Sequence, residues 1–342
     1  MVSEMNLKYW SLAVAVVLAA TGAHPGPVLD RVRAQNHVNC GVVTDTDDWS
    51  YDDTHGNLAP LGADLCKAVS AAVLGEGAKV IVTPYPDDPT ALAALKAGKI
   101  DLLGAATPSL QTRAHDPIAF GPAVLYDGQG FLVLNTSPIR TLADFTGRKI
   151  CYLGSGAAEG ALAPALGARG VKYIAFPFEE VGEMEAALVS GRCDSITANV
   201  SQLAMMRAVF LGQRRNYRIL PETITEDPAA PAYPAGDLEW SNIVDWTITA
   251  LIQAEASGVT AANIDTMRNS EDPVTRRLLG TDRGPVLALG LDREWSVRAI
   301  KAVGNFGEVF DRDVGAHSPL RLERGKTALW TQGGLLYPMP IR

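Results

Sequence analysis

The sequence has no surplus of positive charge. Thirty Lys and Arg face 38 Asp and Glu, a formal net charge of −8 at pH 7. Nucleic acid and anionic lipid both select a basic footprint, so neither is an expected partner. Cysteine is scarce, with four in 342 residues, which excludes a disulfide-dense miniprotein. No cysteine spacing is a zinc pattern such as CxxC. Low-complexity linkers are missing, and 47% hydrophobic residues exclude a disordered chain. Past one N-terminal run, no stretch reaches the roughly 20 apolar residues that a membrane helix needs.

Signatures of chemistry are missing too. Gly325-Lys326-Thr327 ends like a phosphate-binding loop, but Leu320 stands where the first glycine belongs. Gly154-Ser155-Gly156 precedes a helical pattern, but Glu159 occupies the third glycine position of a dinucleotide fingerprint. There is no GxSxG elbow and no HExxH. The five histidines (24, 37, 55, 115 and 317) have no ligand spacing. The expectation is no enzyme activity, no cofactor and no metal. Asn135-Thr136-Ser137 and Asn199-Val200-Ser201 match the glycosylation sequon, which matters only in a glycosylating host.

What is present begins with an address. Lys8 precedes the apolar run Leu12 to Ala20, followed by Thr21-Gly22-Ala23. A charged start, a short apolar core and a small-x-small site predict a cleavable signal peptide over 1–23. Export places Cys40, Cys66, Cys151 and Cys193 where thiols pair, with three connectivities open.

The length suits two domains at about 150 residues each. Ala93-Ala94-Leu95-Lys96-Ala97-Gly98-Lys99-Ile100-Asp101 and Ala186-Ala187-Leu188-Val189-Ser190-Gly191-Arg192-Cys193-Asp194 share the pattern AAL-x-small-G-basic-x-D. Each reads as a helix ended by a left-handed glycine, then a strand. Val38–Val42 and Lys149–Leu153 read as buried strands upstream of the two copies. Two similar α/β units follow, with mostly parallel sheets expected. Leu61, Leu65, Val69 and Val73 at i+4 spacing predict a helix carrying Cys66. Trp240, Ile243, Val244, Thr247, Ile248, Leu251 and Ile252 predict a second, ending near Gly258, with its tryptophans in the core. Trp295 to Phe310 predicts one more. No linker separates the units, so the chain is expected to cross between them more than once.

Some segments could hold a ligand. The loop Gly154–Ala158 can offer backbone N–H groups at a helix start, suited to a carboxylate. Arg113, after the polar loop 107–112, could grip a carboxylate with both arms of its guanidinium. Trp49 and Tyr51 are aromatics in the loop after the first strand.

Several blocks together resemble the periplasmic solute-binding proteins of ABC amino-acid importers, in particular the general L-amino-acid branch. They are Cys40-Gly41-Val42, Tyr126-Asp127-Gly128-Gln129-Gly130-Phe131 and Ser190-Gly191-Arg192-Cys193-Asp194. Lys301-Ala302-Val303-Gly304-Asn305-Phe306-Gly307-Glu308, Ser318-Pro319-Leu320 and Ala328 to Leu335 (ALWTQGGL) complete the set. The resemblance implies a type II periplasmic-binding-protein fold, two α/β lobes joined by two hinge strands with the ligand cleft between them. Lobe 1 is expected at 24–125 and 220–342, and lobe 2 at 126–219. The disulfides expected are Cys40–Cys66 and Cys151–Cys193, one per lobe, because a cross-lobe link would pin the hinge.

The family site carries over in part. Arg113 matches the arginine for the α-carboxylate, Thr107 lies in its companion loop, and Trp49 matches an aromatic near the ligand. Ser155 and Gly156 lie in the loop of lobe 2 that faces the ligand. Three places depart from the pattern. Asn199 stands where an aspartate usually takes the α-ammonium. Gly156-Ala157-Ala158 replaces a Thr-rich loop, and Ala105 and Ala106 replace polar residues. The implied function is a periplasmic receptor that closes on an amino acid or related carboxylate and delivers it to permease subunits, as a monomer. A lyase or dehydratase on the same fold, or a sensor or scaffold without tight amino-acid binding, are the alternatives.

Overall fold

The structure, a computed structural model, describes residues 27–44, 59–154, 157–208, 217–282 and 289–341. The expected signal segment 1–23 and the site candidates Trp49, Ser155 and Gly156 lie outside these residues.

The first run of elements is α1 Pro27–Gln35, β1 His37–Val43, α2 Ala59–Leu74, β2 Lys79–Tyr85, α3 Asp88–Lys96 and β3 Leu102–Ala106. It ends with α4 Leu110–His115, β4 Ile118–Phe120 and β5 Leu125–Asp127. The second run is β6 Gln129–Leu134, β7 Lys149–Leu153, α5 Ala157–Gly167, β8 Ile174–Phe178, α6 Val181–Val189, β9 Ser195–Asn199, α7 Val200–Ala208 and β10 Tyr217–Ile219. The chain then returns through β11 Asp227–Pro234 to α8 Leu238–Ala256, α9 Ile264–Met267, α10 Pro273–Leu278, α11 Trp295–Val303 and α12 Phe306–Asp313.

Among the described residues the strands form two sheets. One runs β2-β1-β3-β11-β4, with β5 also on β11; the other runs β10-β6-β9-β7-β8. These are the two α/β lobes. The chain leaves the first sheet between β5 and β6 and re-enters it between β10 and β11. Each sheet has a parallel trio, β2-β1-β3 and β8-β7-β9, followed by antiparallel partners. The sheets are therefore more mixed than alternating elements suggested. The reason is connectivity: β11 and β6 are crossing strands, and they run against the trio they join.

The nine-residue repeat is a structural repeat. α3 and α6 both stop two residues before a left-handed glycine, Gly98 at φ 68° and Gly191 at φ 74°. The aspartate three residues on then clamps the neighbouring strand. Asp101 N–H donates to Asn39 O at 2.8 Å, and its Oδ2 accepts from Asn39 N at 2.8 Å. Asp194 N–H donates to Lys149 O at 2.9 Å, and its Oδ2 accepts from Lys149 N at 2.8 Å. Each strand starts just after its clamp, at Leu102 and Ser195, slightly later than the apolar pattern suggested.

Both expected disulfides are present. Cys40–Cys66 ties β1 to α2 with Cα atoms 6.1 Å apart, and Cys151–Cys193 ties β7 to the turn before β9 at 6.0 Å. Neither crosses between lobes. They do not sit at matching places in the repeat. The first-lobe counterparts of Cys151 and Cys193 are Gly41 and Ile100, which pack directly together.

Lobe 1 carries the larger core because the C-terminal helices pack on it. Trp240 of α8 is wholly buried, and its indole N–H donates to Asp101 O at 3.0 Å. α11 packs along α2, and its Arg298 donates to the last carbonyls of α2, Ala71 O and Ala72 O. The pattern from Trp295 to Phe310 resolves into two helices, not one. Gly304 at φ 93° ends α11, and Asn305 starts α12 in a capping box with Glu308. The apolar spacing survives the break because both helices face the same core. α12 also brings Arg312 and Asp313 against Asp64 of α2. Burial and the Asp64 charge push the Asp313 carboxyl up to about 7, against the pull of Arg312.

Candidate functional site

Parallel strands point their C-terminal ends at one edge of a sheet, and ligand crevices form there. In this chain the ends of β1 and β3, the start of α2 and the β2–α3 loop make one wall of a cavity of about 350 Å3. The opposite wall is the end of β9 and the first turns of α7, in the second lobe. The hinge strands β5 and β11 close the back. The cavity is thus shared by both lobes and both crossings.

Close backbone packing shapes the first wall. A Cβ at Gly104 would fall on the backbone of Gly62, so β3 and α2 meet backbone to backbone there. In the second lobe the matching position is Thr197, whose hydroxyl donates to Gly130 O at 2.7 Å and accepts from Gln129 Nε2 at 3.0 Å.

Four aspartates line the cavity, and no lysine or arginine does among the described residues. Asp87 caps α3, accepting from Thr90 N at 2.7 Å, and the bonds from Thr90 hold its carboxyl below the usual range. Asp88 accepts from Thr107 N at 3.0 Å; burial nevertheless pushes its pKa up. Asp127 sits in the hinge. It accepts from Gly128 N at 2.8 Å and from the Ser201 hydroxyl of α7 at 2.5 Å. Burial outweighs those bonds, so its pKa also rises. Asp227, on the other hinge strand, accepts from the Thr225 hydroxyl at 2.5 Å. Carboxylates held this way attract a cation, and the desolvated pair stays poised to be satisfied by one.

The expected site residues divide. Thr107 and Asn199 both line the cavity, from opposite lobes. Arg113 does not; it is exposed on α4, close enough to Tyr233 for its charge to act on that phenol, which donates to Asp245 at 2.6 Å. Asp88, Asp127 and Asp227 were missed. Asp127 stood in a quoted motif, Tyr126-Asp127-Gly128-Gln129, whose Gly and Gln marked a turn between two strands. Facing the cleft is a property of the crossing, which only the sheet order reveals.

Known proteins match this chain over most of its length. A family model described as NMT1/THI5 like matches residues 75–236. The general L-amino acid-binding periplasmic protein AapJ of Rhizobium johnstonii is 37% identical over 99% of this chain and all of that protein. The glutamate/glutamine/aspartate/asparagine-binding protein BztA of Rhodobacter capsulatus is 35% identical over 98% of each. A solved Brucella ovis ABC transporter periplasmic binding protein, with glutathione bound, superposes with a TM-score of 0.75 at 34% identity, over 92% of this chain and 99% of that one. With relatives of this identity along its full length, the chain belongs to the periplasmic amino-acid-binding proteins of ABC transporters, which are binding proteins and not enzymes.

Proposed function

We propose that this protein captures an ammonium-bearing ligand, an amino acid or a small peptide related to one, and hands it to an ABC permease. The observation that carries this reading is the cavity of about 350 Å3 between the lobes, lined by four aspartates and by Asn199. Asn199 replaces the carboxylate that the family resemblance implies for the ammonium. Asp127 and Asp88 supply carboxylates in its place, from the hinge and from lobe 1. Thr107 is assigned the ligand carboxylate, joined by Arg113 of the following helix only if closure of the lobes brings that exposed guanidinium to the cleft, with Ser155 and Gly156 opposite and Trp49 against the side chain. Capture proceeds by closing lobe 2, taken as 126–219, onto lobe 1, taken as 24–125 and 220–342. The Brucella ovis relative was solved with glutathione, so γ-glutamyl peptides belong beside free amino acids as ligand candidates.

The test is calorimetry on protein unfolded and refolded to strip bound ligand, with amino acids, glutathione and matched 2-keto acids. The amine-bearing member of each pair is expected to bind and its keto analogue not. Asp127→Asn should cost roughly 2–5 kcal/mol for the amine, the range for breaking a desolvated charge pair. Arg113→Ala should cost a similar roughly 2–5 kcal/mol for both members if the guanidinium holds the carboxylate. Equal affinities for amine and keto acid would overturn the ammonium assignment, and an unaffected Arg113→Ala would remove Arg113 from the site.

A further inference from the structure

Asp127, Leu125 and Ser201 line a second cavity as well as the cleft, so one hinge wall separates two spaces. The second encloses about 500 Å3 between the hinge, α7 and the segment 321–327. Its charge is the reverse of the cleft's. Arg207, Arg321, Arg324 and Lys326 line it, against Asp127 and Glu323.

These cations are placed rather than loosely displayed. Arg324 lies over the rings of Phe306 and Phe310 and donates to Glu255, which fixes its guanidinium. Arg207 reaches from α7 to Leu320 O at 2.8 Å. Among the described residues Lys326 pairs with the exposed Glu226, a pair that water and salt weaken. Among the described residues the bonds of Arg321 are those of its backbone, N–H to Ser318 O and O from Arg207, and its guanidinium has no partner. Its backbone is left-handed, φ 45°, a conformation that costs a non-glycine residue energy and must be held by its surroundings.

The backbone beside them offers donors of its own. Arg324 is right-handed and Gly325 left-handed, at φ 47°, an alternation that turns successive N–H groups to one side. The N–H groups of Arg324, Gly325 and Lys326 have no acceptor among the described residues. Gly325-Lys326-Thr327, which lacks the rest of a phosphate loop in the sequence, thus lies on the edge of a cationic cavity.

We propose that this cavity binds a small phosphate-type oxyanion, held by Arg321, Lys326 and the 324–326 backbone, with Arg207 and Arg324 supplying field. More donors converge than a single carboxylate can use, and a doubly charged, many-oxygen anion uses them best. The site stands independently of what the cleft takes.

Calorimetric titration of the whole protein with inorganic pyrophosphate, at ionic strength held constant with chloride, tests it. One saturable site is expected. Arg321→Ala and Lys326→Ala should each weaken it by about tenfold or more, as loss of a charge-assisted contact does. Arg169→Ala removes a cation that donates to Ala165 O in the other lobe and should leave the affinity unchanged. Far-UV spectra establish that each variant is folded. No saturable binding in the unaltered protein overturns the proposal, as does equal weakening in Arg169→Ala and Arg321→Ala. Citrate binding as tightly as pyrophosphate would overturn the phosphate assignment.

Discussion

Asp101 and Asp194 close the same turn in the two lobes, bonded to the neighbouring strand in the same way, yet their surroundings differ. Asp101 is fully buried, salt-bridged by Arg31 and bonded a second time by the Asn39 side chain. Asp194 is about a third exposed, with Arg148 at 3.6 Å. The difference comes from what each lobe is packed against. α1 and α8 cover the Asp101 turn; the Asp194 turn faces solvent. Nine residues of local sequence set the turn, whereas the helices packed over it, α1 and α8, set its energetic weight.

That comparison is breakable. Asp101→Ala should destabilise by roughly 3–5 kcal/mol, the cost of removing one partner of a buried ion pair. Asp194→Ala should cost only about 1–1.5 kcal/mol, as for an ordinary hydrogen bond. Chemical denaturation of the two variants reads both values, and equal losses would mean that the cover over the Asp101 turn, with its Arg31 pair, adds nothing. The disulfides should instead behave alike. With sequence separations of 26 and 42, the chain-entropy model gives about 3.5 and about 4 kcal/mol. Paired Cys→Ala variants measure this, and peptide mapping of unreduced protein should find no cross-lobe link.

A transplant sharpens the contrast further. Gly104→Thr copies Thr197 into the first lobe, where the Gly62 backbone occupies the space, and should cost about 3 kcal/mol. The reverse change, Thr197→Gly, should cost about 1–2 kcal/mol for a lost buried hydrogen bond and added chain freedom. Thermal melts rank them, and Thr197→Gly proving the worse would refute the backbone-contact account. A pH-dependent effect belongs to lobe 1 alone. Asp313 titrates near 7 in the fold and near 3.9 when unfolded. Its favourable contribution is complete below about pH 4 and is lost as pH rises through about 7. Asp313→Asn should therefore gain stability relative to the unaltered protein as pH rises from about 5 to about 8. A pH series of melts would show it, and parallel curves would discount the group.

Much of the scaffold was legible because its signals are local. The strand Lys149–Leu153 falls where its apolar run lies, and the helix around Cys66 follows its i+4 stripe. The glycine stops at Gly98 and Gly191 needed only their own φ. What was not legible depends on chain crossings. Strand β11 is short of apolar periodicity and rich in Pro and Ala, so nothing in its pattern marks a central strand. Without it, neither the mixed sheets nor the cleft-facing Asp127 and Asp227 can be placed. Thr107 and Asn199 were found through family resemblance and do reach the cavity. Arg113 was found the same way and stands outside its lining, because a motif gives a helix position without giving that helix's distance from the cleft.

β11 also bears on how the molecule is born. It lies between β3 and β4 in the first sheet, but the chain makes it only after the whole second lobe. A polypeptide emerging from its amino end therefore carries β3 and β4 with open edges for about a hundred residues of travel. The inserted lobe, whose strands are contiguous from β6 to β10, can close its own sheet and its Cys151–Cys193 bridge first. The lobe that begins the chain is the last to be completed, and until then its unpaired edges are the part of the nascent protein that a chaperone has reason to cover.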